Sequence, residues 1–225
     1  PGLFVRFGPS YLSGLWITLS LVLISFVCGA VVSVPVAFGR MAKNPLARIP
    51  AFVFVYFFRG TPLIAQIFLV YYGFGQFRGF FDAIGLWGFF REAWYCALFA
   101  LTLNTAAYQA EILRGAIESV PKGQWEGARS LGLPRPVTFW KVVLPQAMIV
   151  ALRPYANEII LMIKASAIVA IITVYDLLGE TRQAYARTFD FQTYVWAALL
   201  YLAIVEALRH ATNFVERRLT RHLKR

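Results

Sequence analysis

Polar side chains occur at helical spacing within stretches of this sequence that are otherwise strongly apolar. Asn104, Tyr108 and Glu111 follow one another at intervals of four and three residues, which predicts that they share one face of a helix. Ionisable groups at membrane depth are costly and usually face the interior of a helix bundle or a water-filled cavity. The pattern therefore favours a site that binds a polar solute.

Other apolar stretches contribute Glu158, Gln66, Thr61 and Arg59. The carboxylates of Glu158 and Glu111 could receive an amino group or a cationic side chain, and Arg59 could receive a carboxylate. A structural interpretation stands beside this one, because Arg59 and Glu111 could instead form a gating or packing ion pair between helices. Asn104, Tyr108, Glu158, Gln66 and Thr61 remain as candidate contacts to a solute.

The sequence indicates no catalytic or metal chemistry. Cys28 and Cys96 lie inside apolar runs, where small buried thiols are common. His210 and His222 both lie in a basic tail, and no Cys/His cluster with metal-ligand spacing is present. The chain also lacks the glycine-rich phosphate loop of ATPases. We expect no catalytic residue, no bound metal and no cofactor on this chain.

The composition indicates an integral membrane protein. Of the 225 residues 59% are hydrophobic and 15% are charged, whereas about 25% are charged in ordinary soluble domains. A helix needs about 20 apolar residues to cross a bilayer. We predict an all-α, single-domain chain, 1–225, with five spans near 12–38, 49–73, 94–113, 155–174 and 193–208. The first run lacks the features of a cleavable signal peptide, and the segment 77–90 is expected to be an interfacial loop.

The positions of Lys and Arg predict the orientation of these spans. The net charge of +11 lies mainly in segments between the spans, a distribution that argues against nucleic-acid binding. Most basic residues follow the first span, the third span and the last span. Because cytoplasmic loops are enriched in Lys and Arg, we expect the N-terminus to be periplasmic and the C-terminus cytoplasmic. The basic tail is also expected to contact anionic membrane lipid.

The segment 121–146 is polar and punctuated by prolines, and the charge pattern places it on the cytoplasmic side. Pro121 is suited to the start of a short helix, with Trp125, Ala128 and Leu131 as its apolar stripe. Gly132 stands where such a helix would end in the left-handed conformation. A second short helix is expected near 137–144, before Pro145. An interfacial amphipathic hairpin without a partner is the alternative interpretation.

This segment resembles the cytoplasmic docking loop of permease subunits of bacterial ABC importers. That family reads Glu-Ala-Ala, three residues, Gly, nine residues, Ile, one residue, Leu-Pro. The chain has Glu126-Gly127-Ala128, then Gly132, and then Val142-Val143-Leu144-Pro145. Further segments resemble the polar amino acid branch, and especially the histidine, arginine and opine importers: Phe58-Arg59-Gly60-Thr61-Pro62-Leu63, Asn104-Thr105-Ala106-Ala107-Tyr108, Ala110-Glu111-Ile112-Leu113-Arg114-Gly115 and Asn157-Glu158.

The resemblance implies the type I ABC importer permease fold and a location in the bacterial cell inner membrane. Its implied partners are a second permease, expected to be a different chain, a dimeric ATPase that holds ATP and Mg, a periplasmic solute-binding protein and an amino acid substrate. ATPase coupling is carried over to these residues of the cytoplasmic loop: Trp125, Glu126, Ala128, Gly132 and Leu133.

The resemblance also implies a central substrate site on spans three and four, which favours Asn104 and Glu158. The chain departs from the family where many relatives read Lys-Asp-Ser-Ser-Leu, because it has Ala165 in place of the Asp. The function implied is import of polar amino acids, basic ones or opines, by alternating access. Two rivals are an ion-coupled secondary transporter, disfavoured by the lack of an internal repeat, and a membrane scaffold, disfavoured by polar residues on three spans.

Overall fold

The computed structural model describes residues 2–221, and within that range it contains helices and turns but no strand. The α-helices are α1 Gly2–Met41, α2 Pro45–Gly60, α3 Leu63–Phe68, α4 Phe74–Gln76, α5 Arg78–Ala83, α6 Trp87–Phe90, α7 Ala93–Glu118, α8 Lys122–Ser130, α9 Arg135–Thr138, α10 Leu144–Ser166, α11 Leu177–Thr188 and α12 Gln192–Leu219. Two π-helical turns, Leu69–Gly73 and Phe139–Val143, and one 3₁₀ segment, Ala167–Ile172, join some of them. The expectation of an all-helical chain agrees with this structure.

Three continuous helical stretches have the length and apolar composition to cross a membrane. These stretches are Gly2–Met41, Arg135–Ile172 and Gln192–Leu219. A fourth candidate is a pair of helices, Pro45–Gly60 and Leu63–Gln76, with a bend of 109° between them. The apolar segment 77–90 forms the two short helices α5 and α6 instead of a loop without regular structure.

Helix α7 lies at the centre of the bundle, against α1, α2 and α10. It is long enough to cross a bilayer, about 39 Å at 1.5 Å per residue, although its composition is too polar to pass as a span on hydropathy alone. A face of small residues, among them Ala97, Ala106 and Ala110, is fully buried against neighbouring helices. Because α7 is surrounded by protein, its polar residues can be satisfied without facing lipid.

The stretch predicted as a second span, 49–73, is broken and sharply bent. Helix α2 ends at Gly60, and the chain is extended at Thr61 and Pro62 before α3 begins. Proline has no N–H and disfavours a helical conformation at the residue before it. Pro62 is therefore the local cause of the break within this expected span.

The cytoplasmic segment contains the short helix α8 and a second helical part, beginning with α9, that does not end before Pro145. Helix α8 matches the first expected helix, but the expected second helix is the beginning of the long stretch Arg135–Ile172. Pro145 does not break that stretch, because the π-turn Phe139–Val143 precedes it and Leu144 N–H bonds to Phe139 O. The wider turn accommodates a residue that lacks an N–H and crowds the preceding carbonyl.

Candidate functional site

The break between α2 and α3 leaves backbone carbonyl groups without helical partners, and two carboxamide side chains bind them. Gln66 Nε2 donates to Phe58 O at 3.0 Å, to Thr61 O at 3.1 Å and to Thr61 Oγ1 at 2.8 Å. Asn104 Nδ2, from α7, donates to Phe58 O at 3.3 Å and to Gln66 Oε1 at 2.9 Å. Three candidate solute contacts, Thr61, Gln66 and Asn104, are thus brought together by the bend itself.

Glu158, a fourth candidate contact to a solute, belongs to a separate buried network. Its Oε1 accepts from Thr105 Oγ1 at 2.9 Å. Thr105 Oγ1 in turn accepts from Gln109 Nε2, which also donates to Phe26 O in α1. The Oε1 of Gln109 is buried and has no hydrogen-bond donor within residues 2–221. Sequence reasoning missed Thr105 and Gln109, because uncharged polar residues are common within buried helices and neither residue stands out by charge.

Glu111 is the centre of an ion-pair cluster with three arginines. Arg40 Nε lies 3.0 Å from Glu111 Oε1, Arg114 Nη2 lies 2.7 Å from Oε2, and Arg59 Nη1 lies 3.8 Å from Oε2. The guanidinium of Arg59 also sits 5.3 Å above the ring of Tyr108. The predicted pairing of Arg59 with Glu111 is present, but Arg40 and Arg114 make the shorter contacts.

The face predicted for Asn104, Tyr108 and Glu111 points towards α2 and the bend that follows it. Asn104 reaches the broken turn, Tyr108 lies under Arg59, and Glu111 binds arginines of α1, α2 and α7. Within residues 2–221 no hydrogen-bond donor is found for Asn104 Oδ1 or for Glu158 Oε2. Both oxygens can therefore accept a further hydrogen bond.

Helix α8 carries the residues expected to couple the chain to an ATPase. Trp125 packs against the buried cluster that includes Ala116 and Val143, and Ala128 is 5% exposed. Glu126 and Leu133 face outwards. The side chain of Leu131, predicted to belong to the apolar stripe, is instead 81% exposed because it follows the end of the helix.

Gly132 ends α8 in the left-handed conformation, as its position predicts. Its φ is +73°. Leu133 N–H bonds to Ala128 O at 3.0 Å, and Gly132 N–H bonds to Arg129 O at 2.9 Å. This bonding pattern is the Schellman motif, which satisfies carbonyl groups at the end of a helix. The result is a compact projection with a fixed shape, in which Trp125 and Ala128 face inwards and Glu126, Leu131 and Leu133 face outwards.

Comparison with known proteins identifies the family. A model of the binding-protein-dependent transport system inner membrane component matches residues 29–224. The chain belongs to this family. It is 41% identical over 217 residues to the nopaline transport system permease protein NocM of Agrobacterium fabrum, covering 96% of this chain and 90% of that one. It is 39% identical over 213 residues to the histidine/lysine/arginine/ornithine transport system permease protein HisM of Escherichia coli, covering 94% and 90% of the two chains.

Superposition on solved structures supports the same family assignment. A crystal structure of an amino acid ABC transporter with histidines superimposes with a TM-score of 0.86 at 32% identity, covering 96% of both chains. The inward-facing MetNI methionine ABC transporter superimposes with a TM-score of 0.76 at 20% identity, which shows the shared fold alone. This permease is thus a multi-pass component of the inner membrane and a subunit of an ABC importer, and the secondary-transporter alternative is not favoured.

Proposed function

We propose that this permease forms half of a translocation pore for polar amino acids, basic ones or opines, in the inner membrane. The relatives named for nopaline and for histidine, lysine, arginine and ornithine transport support this substrate class. Five helical units cross the bilayer, namely α1, the bent unit of α2 and α3, α7, the stretch containing α10, and α12. The N-terminus is periplasmic and the C-terminus cytoplasmic, in keeping with the distribution of Lys and Arg.

The observation that carries the proposal is the projection formed by α8 and Gly132. It presents Glu126 and Leu133 outwards from a helix that Trp125 and Ala128 anchor to the bundle. A docking element needs such an exposed end and such a rigid attachment if it is to transmit movement. A dimeric ATPase holding ATP and Mg would bind here, and a second permease, a different chain, would complete the pore with a periplasmic solute-binding protein outside.

The transport cycle is alternating access. The loaded binding protein docks outside, ATP binding closes the ATPase dimer, and the projections on the two permeases move together. The bundle then opens outwards, and hydrolysis resets it. Because Trp125 of α8 packs against a buried cluster to which α7, the π-turn Phe139–Val143 and α10 all contribute, displacement of α8 is transmitted to the helices that carry Asn104 and Glu158.

The solute would meet the acceptors Asn104 Oδ1 and Glu158 Oε2, with Tyr108 as a further contact. Thr61 and Gln66 would shape the site by holding the bend beside Asn104. Arg59 and Glu111 would gate the cytoplasmic half, since Arg59 is the longest and most exposed contact of the Glu111 cluster. The carboxylate of Glu158 and the side-chain carbonyl of Asn104 would together suit the ammonium group of an amino acid or its cationic side chain.

The coupling proposal is tested with the importer reconstituted in proteoliposomes. Glu126→Arg should abolish ATPase binding and coupled uptake, because it reverses the charge at the outward face of α8. Glu92→Arg is the matched control, since Glu92 is an exposed carboxylate at the start of α7 and away from α8. Full ATPase binding and uptake by Glu126→Arg would contradict the coupling role.

The site proposal is tested by uptake together with complex assembly. Asn104→Ala and Glu158→Ala should lower uptake while the assembled complex is still recovered. Asn157→Ala is the control, because Asn157 borders a different groove together with Arg153 and Glu216. If both site variants instead lost assembly, the residues would be structural and the solute site would have to lie elsewhere.

A further inference from the structure

An apolar groove runs along the bundle between α1, α7 and α10. Its volume is about 550 Å³, and its lining includes Phe26, Val34, Leu113 and Met148. The hydroxyl of Ser33, which also lines it, bonds back to Ala30 O at 2.7 Å. Val34 and Met148 are each 43% exposed, so the groove is open along one side.

A second cavity of about 670 Å³ adjoins one end of the apolar groove. It shares the side chains of Phe38, Phe139 and Trp140 with the groove, so the two spaces lie side by side. Its remaining lining includes Trp125, Arg129, Arg135 and Pro136. We call this second cavity the basic mouth. The combined space is therefore apolar along its length and cationic at one end.

Within residues 2–221 no acidic side chain neutralises the charge of the basic mouth. Arg129 and Arg135 are both exposed, and neither forms an ion pair within the described part of the chain, 2–221. Among the same residues, no acidic side chain lines the cavity. Guanidinium groups bind phosphate with two parallel hydrogen bonds, so two of them beside an apolar groove fit a ligand with a phosphate head and a hydrocarbon body.

The length of the groove corresponds to one leaflet of a bilayer. Along α1 its lining runs over residues 26–38, a distance of about 18 Å at 1.5 Å per residue. Half of a hydrocarbon core of roughly 30 Å is about 15 Å. In the orientation proposed above, the groove runs from the middle of the membrane to the cytoplasmic surface. The indoles of Trp125 and Trp140 then lie at the interface, where tryptophan is favoured.

We propose that this groove and its basic mouth bind one anionic glycerophospholipid of the cytoplasmic leaflet. An acyl chain occupies the apolar groove, and the phosphate lies between Arg129 and Arg135. Because Arg129 belongs to α8, the lipid joins the ATPase-docking projection to the membrane and makes transport sensitive to lipid charge. This site rests on the proposed orientation of the permease.

The test measures phospholipid retained by the assembled importer after extraction from bilayers of phosphatidylglycerol or of phosphatidylcholine. Native mass spectrometry should count one phosphatidylglycerol per copy of this permease and no retained phosphatidylcholine. The double variant Arg129→Gln with Arg135→Gln should retain roughly tenfold less phosphatidylglycerol, since each basic group near a membrane surface contributes appreciably to anionic-lipid binding. Ala30→Phe, which fills the groove without changing charge, should have the same effect.

The matched control is Arg217→Gln with Arg218→Gln, which removes two arginines from the last turn of α12 that line neither the groove nor the basic mouth. Equal loss in this control, or equal retention of phosphatidylcholine, would show general surface attraction and overturn the site. Crosslinking of a Met148→Cys variant to the second permease, without any retained lipid, would assign the groove to that partner instead. Uptake is measured in the same samples, so an active importer without bound lipid refutes the lipid site alone.

Discussion

The carboxamide of Asn104 donates to Gln66 Oε1 across a distance of 2.9 Å, which ties α7 to the bend between α2 and α3. Gln66 uses its own N–H groups on carbonyls that the break at Pro62 leaves without helical partners. Gln66 is 3% exposed, so water cannot readily replace it. The shape of the bent unit therefore depends on a side chain in the neighbouring helix.

The first prediction concerns this contact. Gln66→Leu should lower the free energy of unfolding of the assembled complex by about 1–3 kcal/mol, because it leaves buried carbonyl groups without donors. Asn104→Leu should lower the free energy of unfolding by less than Gln66→Leu does, since Gln66 still binds the carbonyl groups of the broken turn. A double-mutant cycle on the melting temperature checks the coupling, and additive effects of the two changes would show that the contact is not part of a shared network.

The second prediction concerns the two glycines of α8. Gly132→Ala should weaken ATPase docking by about 1–2 kcal/mol, because an alanine at φ +73° is strained. Gly127→Ala should strengthen α8 by up to about 1 kcal/mol, since Gly127 lies within the helix and a Cβ there meets no atom within 4 Å. The affinity of the permease for its ATPase measures both effects, and equal effects of the two alanines would contradict the role of the left-handed turn.

The third prediction concerns the Glu111 cluster. Glu111→Gln should destabilise the complex by about 3 kcal/mol, because its side chain is 13% exposed and three arginines lose their carboxylate partner. Arg59→Gln should change stability by less than about 1 kcal/mol, since Arg59 is 45% exposed. If Arg59 gates the pathway, its variant should also hydrolyse ATP without matching uptake. Coupled hydrolysis in Arg59→Gln would argue against gating.

The fourth prediction concerns the close approach of α1 and α7. A Cβ at Gly29 would lie 2.5 Å from Thr105 Cγ2. Gly29→Ala should therefore cost about 1–3 kcal/mol of stability and displace Thr105 from Glu158. Gly115→Ala is the control, because a Cβ at Gly115 meets nothing within 4 Å and should be neutral or stabilising. Melting temperatures compare them, and an unaffected Gly29→Ala would show that the helices can separate without cost.

The fifth prediction concerns Asp176, which caps the start of α11 outside the long helices. Its Oδ1 accepts from Gly179 N–H at 2.9 Å, and its carboxyl is fully buried. Burial raises the pKa of Asp176 from 3.8 to about 6. Because the folded state binds the proton more tightly than the unfolded state, this group contributes most to stability below pH 4, and its contribution falls as the pH rises through about 6.

Asp176→Asn should therefore melt at a higher temperature than the native permease at pH 8, and this advantage should shrink towards pH 5. The asparagine keeps an oxygen for Gly179 N–H and carries no charge. Asp190→Asn is the matched control, since Asp190 also accepts from a backbone N–H at the start of a helix but is less buried. An equal, pH-independent shift in both variants would attribute the effect to capping instead of buried charge.

Much of the architecture follows from local sequence. The lengths of the apolar runs predict α1 and α12, and Gly132 predicts the end of α8 because few other residues adopt a positive φ without strain. The spacing of Glu126, Gly132 and Pro145 is enough to indicate the family, since a docking motif is a short-range pattern. The second cytoplasmic helix is present near 137–144, but it continues past Pro145, because a π-turn precedes the proline and no local pattern of residues signals such a turn.

The sequence by itself determined that the chain is embedded in lipid, where most of its long helices lie and to which family it belongs. It also determined which polar residues lie among apolar ones. These properties depend on composition, short-range spacing and motif order. Only the tertiary structure decided the partners of these polar residues: Gln66 and Asn104 at the bend, Glu158 with Thr105, and Glu111 among three arginines. The physical reason is that a buried polar group must find its partner on another helix. Which helix lies opposite is set by packing across the whole bundle, not by neighbours along the chain.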